Sequence, residues 1–215
     1  MDAAVDFIPD YRRRIAALAT HRWPDRAEML VGRASRSDQD LNPDHTGYAE
    51  PRELRAAAVL VPIIERDEPW VLLTRRSDSL GSHSGQVAFP GGKIEEGEDP
   101  VNAALREAEE EIGLDRSFVE VAGVLDIYET GTGFRILPVI GFVKPGFVLL
   151  AAEAEVAEIF EVPLSFLMNP ANHEQHNAVW RGERREYYAM PYEGHYIWGA
   201  TAGMLKNFYD RVFAD

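Results

Sequence analysis

Apolar positions along this chain fall into short runs divided by polar, turn-rich stretches, and their period changes from one run to the next. Val5, Ile8, Tyr11, Ile15 and Leu18 recur at helical spacing and predict an amphipathic helix within residues 1–22. Residues 33–53 are polar and rich in turn formers, as expected of a linker or covering loop. Arg55–Ile64 and Trp70–Arg76 read as strands separated by ERDEP. A Gly/Ser-rich loop follows over 77–100, ending in FPGGKIEEGEDP. The next segment is a helix, with Pro100 in its first turn and Gly113 at its end. Strands are expected at 118–128 and Phe134–Val143, with a hairpin formed by Glu174–Trp180 and 185–192 around RGE. A short helix is expected at 163–168. A closing helix over 200–213 would bury Met204, Leu205, Phe208 and Val212. Many connections are too short for crossovers, so the pattern predicts an α/β protein whose mixed sheet is covered by helices.

At 215 residues the chain suits a single domain overall, with 1–50 as an N-terminal helix and covering segment. No internal repeat is present. The absence of cysteine excludes a disulfide framework, a Cys-based zinc site and thiol catalysis, and it agrees with a reducing cytoplasm. The opening MDAAVDFIPDYRRR lacks the basic start and apolar core of a signal peptide. The apolar run at 56–64 is strand-length, well short of the ~18 residues that cross a bilayer. A soluble cytoplasmic protein is the expectation. Lys+Arg 22 against Asp+Glu 36 gives a formal charge of −14, which repels nucleic acid and anionic lipid. A small anionic substrate requires cations to offset that field.

The helix over 101–112 breaks local rules. Val101, Leu105, Ala108 and Ile112 share one stripe, while Glu107, Glu110 and Glu111 gather on a neighbouring face at i, i+3 and i+4. Like charges one turn apart repel, and carboxylates in a last turn oppose the helix dipole. Such a face is either a solvated acidic surface or a site for a hard cation, since clustered oxygen ligands suit Mg²⁺ or Mn²⁺.

The run Gly92-x5-Glu98-x7-Arg106-Glu107-Ala108-x-Glu110-Glu111-x-Gly113 resembles the Nudix hydrolase signature, with Ala108 where the family prefers a larger aliphatic residue. The resemblance implies an α/β/α sandwich over 51–215 and metal-dependent hydrolysis of a nucleoside diphosphate linked to another moiety. It places Mg²⁺ or Mn²⁺ on Glu107, Glu110, Glu111 and a Gly91 or Gly92 carbonyl. Glu98 and Arg106 would form an orienting ion pair. The general base would be Glu110, Glu111 or Glu155, the last in a loop before a strand. Glu158 and Glu161 alternate with apolar residues and read as exposed strand positions.

The segment before the signature is similar to the coenzyme A pyrophosphatase motif LLTxR[SA]x3Rx3Gx3FPGG. Leu72, Leu73, Thr74, Arg76, Ser77, Gly85, Phe89, Pro90, Gly91 and Gly92 match, but Gly81 stands where the motif has Arg. That resemblance assigns substrate contact to Arg76, Ser77, Gly85 and Phe89, with Arg75 and His83 as neighbouring candidate cations. It extends over about 55–213, including 133–141 and 197–205. Tyr128, Phe134, Tyr187 and Tyr196 either stack on adenine or pantetheine or pack the fold. The implied substrate is coenzyme A or an acyl derivative, with ADP-ribose, NADH or another nucleoside diphosphate derivative as the alternative. A non-catalytic nucleotide-sensing module is a further alternative. The implied partner is a small nucleotide rather than nucleic acid or membrane, with a homodimer left open.

Overall fold

The computed structural model describes residues 10–17, 22–43, 53–79, 83–180 and 182–214. Its elements in chain order begin with α1 (Tyr11–Ala16), α2 (Arg26–Met29), β1 (Arg36–Ser37), β2 (Arg55–Ile64), β3 (Trp70–Arg76), β4 (Val87–Ala88) and β5 (Gly91–Lys93). They continue with α3 (Pro100–Ile112), β6 (Val119–Val124), β7 (Tyr128–Glu129), β8 (Phe134–Val143), β9 (Val156–Pro163) and α4 (Leu164–Leu167). Three strands, β10 (Glu174–Trp180), β11 (Glu183–Tyr192) and β12 (His195–Trp198), precede the closing α5 (Ala200–Val212).

β2 and β8 form the parallel centre of a mixed sheet, in register from Arg55↔Phe134 to Ile64↔Val143. β2 is apolar almost throughout because both of its faces are covered. Ala56, Ala58 and Leu60 face one core with α3, while Val59, Val61 and Ile63 face the other with Leu205 and Phe208 of α5. Helices thus lie on both sides of the sheet, an α/β/α sandwich. Ala103, Ala104 and Ala108 are fully buried and let α3 approach the strands closely, whereas Leu105 is only partly covered. Gathered beside α5, β10, β11 and β12 make a separate antiparallel sheet.

One divergence sets up the site. β2 pairs with β3 only at Ile63↔Val71 and Ile64↔Trp70, and β5 takes the edge of β2 at Ala57–Val59 instead. The GGK segment is thereby laid against the central strand, directly before α3.

Several expectations are corrected. The strand expected over 118–128 is broken into β6 and β7, and β6 carries a register shift between Val121 and Gly123. The loop over 77–100 contains β4 and β5, and β1 lies in the covering segment, paired in parallel with β7. Strands of two or three residues are too short to carry a period. Within 1–22 the helix is seen as α1, while Val5, Ile8 and Leu18 lie outside the described residues. The N-terminal segment is tied down by Arg135, 4% exposed, which donates to the Met29 and Val31 carbonyls at 3.0 and 2.8 Å and to Glu129 at 2.9 Å. Among the described residues no helix is long and apolar enough to cross a membrane.

Candidate active site

α3 is built to hold a fixed position. Asp99 Oδ1 accepts from the Val101 and Asn102 amides at 3.0 and 3.2 Å, and Oδ2 accepts the Trp23 indole N–H at 2.8 Å. Pro100 occupies a position whose N–H would have no helical partner. At the other end Gly113 turns left-handed (φ 67°). The carbonyls of Glu111 and Ile112 then accept from Ala152 and Leu150, each at 2.9 Å.

The acidic face is not uniformly solvated. Glu111 is 6% exposed and its Oε2 accepts the Gly91 amide at 3.0 Å. Burial pushes its carboxyl up to about 7; the neighbouring Glu107 and Glu155 charges add to the rise, while the Gly91 amide and the Arg76 charge oppose it. Glu107 is also raised, by burial first, against the pull of Arg106. Glu110 is the open member, its side chain 61% exposed.

Arg106 organises the rest. Its Nε and Nη2 grip both oxygens of Glu98 at 2.8 and 3.0 Å, and Nη2 also reaches the Lys93 carbonyl at 3.2 Å. Nη1 bridges Glu107 at 2.9 Å and Glu110 at 3.0 Å. Hydrogen bonding to Arg106 holds the Glu98 carboxyl below its ordinary range. Glu109, the fourth acid of the helix end, pairs with Arg116, with Nε at 2.9 Å. The charge conflict read from the sequence is therefore partly relieved by two arginines.

Among the described residues no three carboxylate or imidazole groups are gathered closely enough to hold an ion as they stand. The donor set nevertheless fits a hard divalent cation. All donors are oxygens, two of the carboxylates are withdrawn from solvent, and Glu110 stays exposed while it bonds Arg106. Gly92 lies tight against Glu107: a Cβ there would stand 2.4 Å from its carboxyl carbon. The backbone proposed as a further ligand thus adjoins the carboxylates.

The remaining sequence candidates divide. Glu155 is exposed in a turn, near enough for its charge to act on Glu107 and Glu111. The Arg76 charge also reaches Glu111, and its buried Nε has no hydrogen-bond partner among the described residues. Ser77 positions the loop: its amide donates to the Glu155 carbonyl at 2.8 Å, and its hydroxyl meets that of Ser79 at 2.8 Å. Gly85 adopts φ 69° and donates to the Arg76 carbonyl at 3.2 Å.

Phe89 is 3% exposed within the core under α5, so it packs the fold and offers no face to a substrate. Arg75 is held by Glu158 at 3.1 Å, whose other oxygen meets His195 Nε2 at 3.1 Å. Glu158 is thus no mere exposed strand acid: the hydrogen bond from His195 and then that from Arg75 lower its carboxyl. Sequence reasoning missed this trio because it depends on the β3–β9 register, Arg75↔Glu158, and on the β11–β12 turn. His83 meets Gln86 Oε1 at 2.9 Å, and Gly81 lies outside the described residues. Tyr128 is buried, its hydroxyl donating to Asp38 at 2.8 Å, and Phe134 lies under the Arg55 guanidinium at 4.0 Å.

The NUDIX domain family model matches residues 54–181. The chain is 42% identical to an uncharacterized Nudix hydrolase NudL of Shigella flexneri serotype 5b over 159 residues, 74% of this chain and 83% of the relative. It is 41% identical to the uncharacterized Nudix hydrolase NudL of Escherichia coli K12 over 154 residues, 71% of this chain and 80% of the relative. Among solved structures, the MutT protein of Methanosarcina mazei Go1 aligns at a TM-score of 0.45 with 22% identity, over 55% of this chain and 83% of that one. By its domain match and its identity to the two NudL proteins, the chain belongs to the Nudix family, hydrolases that cleave the pyrophosphate bonds of nucleoside diphosphate derivatives.

Proposed function

We propose that the chain hydrolyses coenzyme A or an acyl derivative, releasing 3′,5′-ADP and 4′-phosphopantetheine or its acyl form. The observation that supports this reading is the run from Leu72 to Gly92, which matches the coenzyme A pyrophosphatase motif at ten positions and leads directly into the carboxylate face. Arg76 and Glu111 lie within electrostatic reach of one another, so the motif arginine acts on the field at the carboxylate face.

In this reading Arg106 fixes the Lys93–Glu98 loop against α3, and the Gly91 amide orients Glu111. A divalent ion such as Mg²⁺ or Mn²⁺, held by Glu107, Glu110, Glu111 and the Gly92 carbonyl, would neutralise phosphate oxygens and acidify the attacking water. Glu111 or Glu110 takes the proton of that water, with Glu155 as the candidate on the facing loop. Arg76 offsets the acidic charge where an anionic substrate must enter. Retention of all three helix carboxylates, two of them withdrawn from solvent, argues against a module that only senses nucleotide.

The test is a product assay with Mg²⁺ or Mn²⁺ and four substrates: coenzyme A, dephospho-coenzyme A, ADP-ribose and NADH. Release of 3′,5′-ADP from coenzyme A faster than cleavage of the others supports the proposal. Turnover of another compound with coenzyme A untouched overturns it and makes Gly81 the mark of a changed substrate.

A further inference from the structure

β12 pairs with β11 only from Ala189 to Tyr192, so 183–188 of β11 and the strand β10 opposite it extend as a two-stranded arm. Gln175, Asn177, Ala178 and Val179 of β10 are exposed, as are Glu183, Arg184 and Glu186 of β11. Two strands by themselves are marginal in water, so an arm of this kind gains from a further strand.

The hydrogen bonds of β11 fix which backbone groups of β10 face outward. The Glu186 amide donates to Asn42 Oδ1 at 2.8 Å, and its carbonyl accepts from Asn42 Nδ2 at 2.9 Å. The Tyr188 carbonyl accepts from the Gly199 amide at 3.1 Å. Glu186 and Tyr188 therefore turn away from β10, and in an antiparallel ladder the residues opposite them turn away too. Those residues are Asn177 and Gln175, and by the same alternation Val179, opposite Arg184. Among the described residues no backbone group pairs with the outward amides and carbonyls of these three.

Other edges of the fold are closed or interrupted. The free side of β11 is plugged by the Asn42 side chain, which stands in for a strand. β6 carries a register shift between Val121 and Gly123, and β9 runs through Glu158 and Glu161 to end on Pro163. Charges, bulges and proline keep a strand edge from pairing with another chain. β10 has no register shift, proline or lysine, and its Val179 is 75% exposed.

The arm is also braced. Glu174 Oε2 meets His176 Nε2 at 2.6 Å, His176 Nδ1 meets the Tyr196 hydroxyl at 2.6 Å, and that hydroxyl meets the Tyr187 hydroxyl at 3.2 Å. This chain of contacts crosses all the strands of the small sheet, so its edge is held in shape before anything pairs with it.

We propose that β10 pairs antiparallel with β10 of a second copy about a two-fold axis at Asn177, joining the two small sheets into one. Under that axis Asn177 lies opposite Asn177 and Gln175 opposite Val179, so each outward amide meets an outward carbonyl. The side chains brought opposite one another are uncharged, so the formal charge of −14 on each copy is not concentrated at the contact. That self-complementary, neutral register is what selects a second copy as the occupant.

Sedimentation equilibrium of the full chain tests the pairing. A lone strand pair is small beside the ~1,600 Å² of a standard interface, so wild type should pass from one copy to two at roughly 10–100 µM. Asn177→Lys sets two ammonium groups against each other across the axis and should weaken the dimer by roughly tenfold or more, as should Asn177→Asp with two carboxylates. Mixing the two variants in equal amounts should restore the dimer, because only an axis at 177 brings the opposite charges together. Should either variant fail to fold, Asn177→Pro removes an amide that β11 does not use and should give a single copy throughout. A wild type that stays single up to about 500 µM overturns the proposal and leaves the edge to a strand of another protein. A dimer that no folded variant weakens overturns it as well, and so does a mixture that associates no better than its components.

Discussion

A methyl group on Gly92 would stand 2.4 Å from the carboxyl carbon of Glu107 and 2.5 Å from both its oxygens. The obstacle is the far end of a flexible side chain, so the fold can absorb a substitution that the carboxylate cannot. Gly92→Ala should melt within ~2 °C of wild type yet lose roughly 10²-fold in kcat. Gly91→Ala differs in kind, because its Cβ would lie 2.4 Å from the Ala58 carbonyl and 2.6 Å from Val59 Cα, both backbone of the central strand. About 2 kcal/mol or more of stability should be lost there. Thermal melts beside turnover separate the two, and wild-type kcat in Gly92→Ala would remove Glu107 from the mechanism.

Glu110→Gln and Glu111→Gln should each reduce kcat by at least ~10²-fold, the scale of losing a catalytic acid, base or electrostatic stabiliser. Metal titration by calorimetry on Glu111→Gln gives a second readout. Unchanged metal binding together with unchanged turnover would sink the assignment of Glu111.

Arg106 meets Glu98 with two nitrogens and a third nitrogen bridges Glu107 and Glu110. A lysine keeps the charge but cannot make that fork. Arg106→Lys should speed amide exchange over 93–98 and lower kcat by roughly tenfold. Exchange indistinguishable from wild type would mean that the loop is held by other contacts.

Burial raises the Glu111 carboxyl from the ordinary 4.5 to about 7, so the folded chain binds its proton more tightly than the unfolded chain. That contribution is fully present below 4.5 and is lost as pH rises through 7. In EDTA, wild type should therefore be less stable at pH 8 than at pH 5.5, by up to ~2 kcal/mol from this residue. Glu111→Gln should flatten that slope. Denaturant melts at the two pH values measure it, and an equal slope in both proteins would refute the assignment.

Gly81→Arg restores the cation of the coenzyme A motif. Its expected effect is a rise in coenzyme A turnover relative to dephospho-coenzyme A, because the added guanidinium can pair with the 3′-phosphate. A ratio that does not move would leave the phosphate clamp without support.

What could be read from the sequence follows burial and local period. β2, β3 and β8 begin and end where the apolar runs do, because long central strands covered on both faces leave an uninterrupted signal. The two-residue strands β1, β4 and β7 have no period to detect. At the site, the grouping of Glu107, Glu110 and Glu111 is written in helical spacing, but their unequal exposure is not. It depends on β5 lying against β2 and on the loop through Ala152. Arg135 likewise gives no local sign of reaching back more than a hundred positions to the carbonyls of the N-terminal segment.

The C-terminal end of α3 is closed by the chain that carries Glu155. Leu150 and Ala152 cap its last carbonyls, the Glu155 amide donates back to Ala152 at 2.8 Å, and the Glu155 carbonyl accepts from Ser77 at 2.8 Å. Glu155 is therefore counted off from the helix by a fixed number of residues, as teeth on a rack are counted from its end. An insertion between Ala152 and Glu155 would shift that carboxylate out of step with Glu111, whereas one between Lys144 and Phe147 would leave the count intact. Length variation among relatives should accumulate before Leu150 and stop at Ala152.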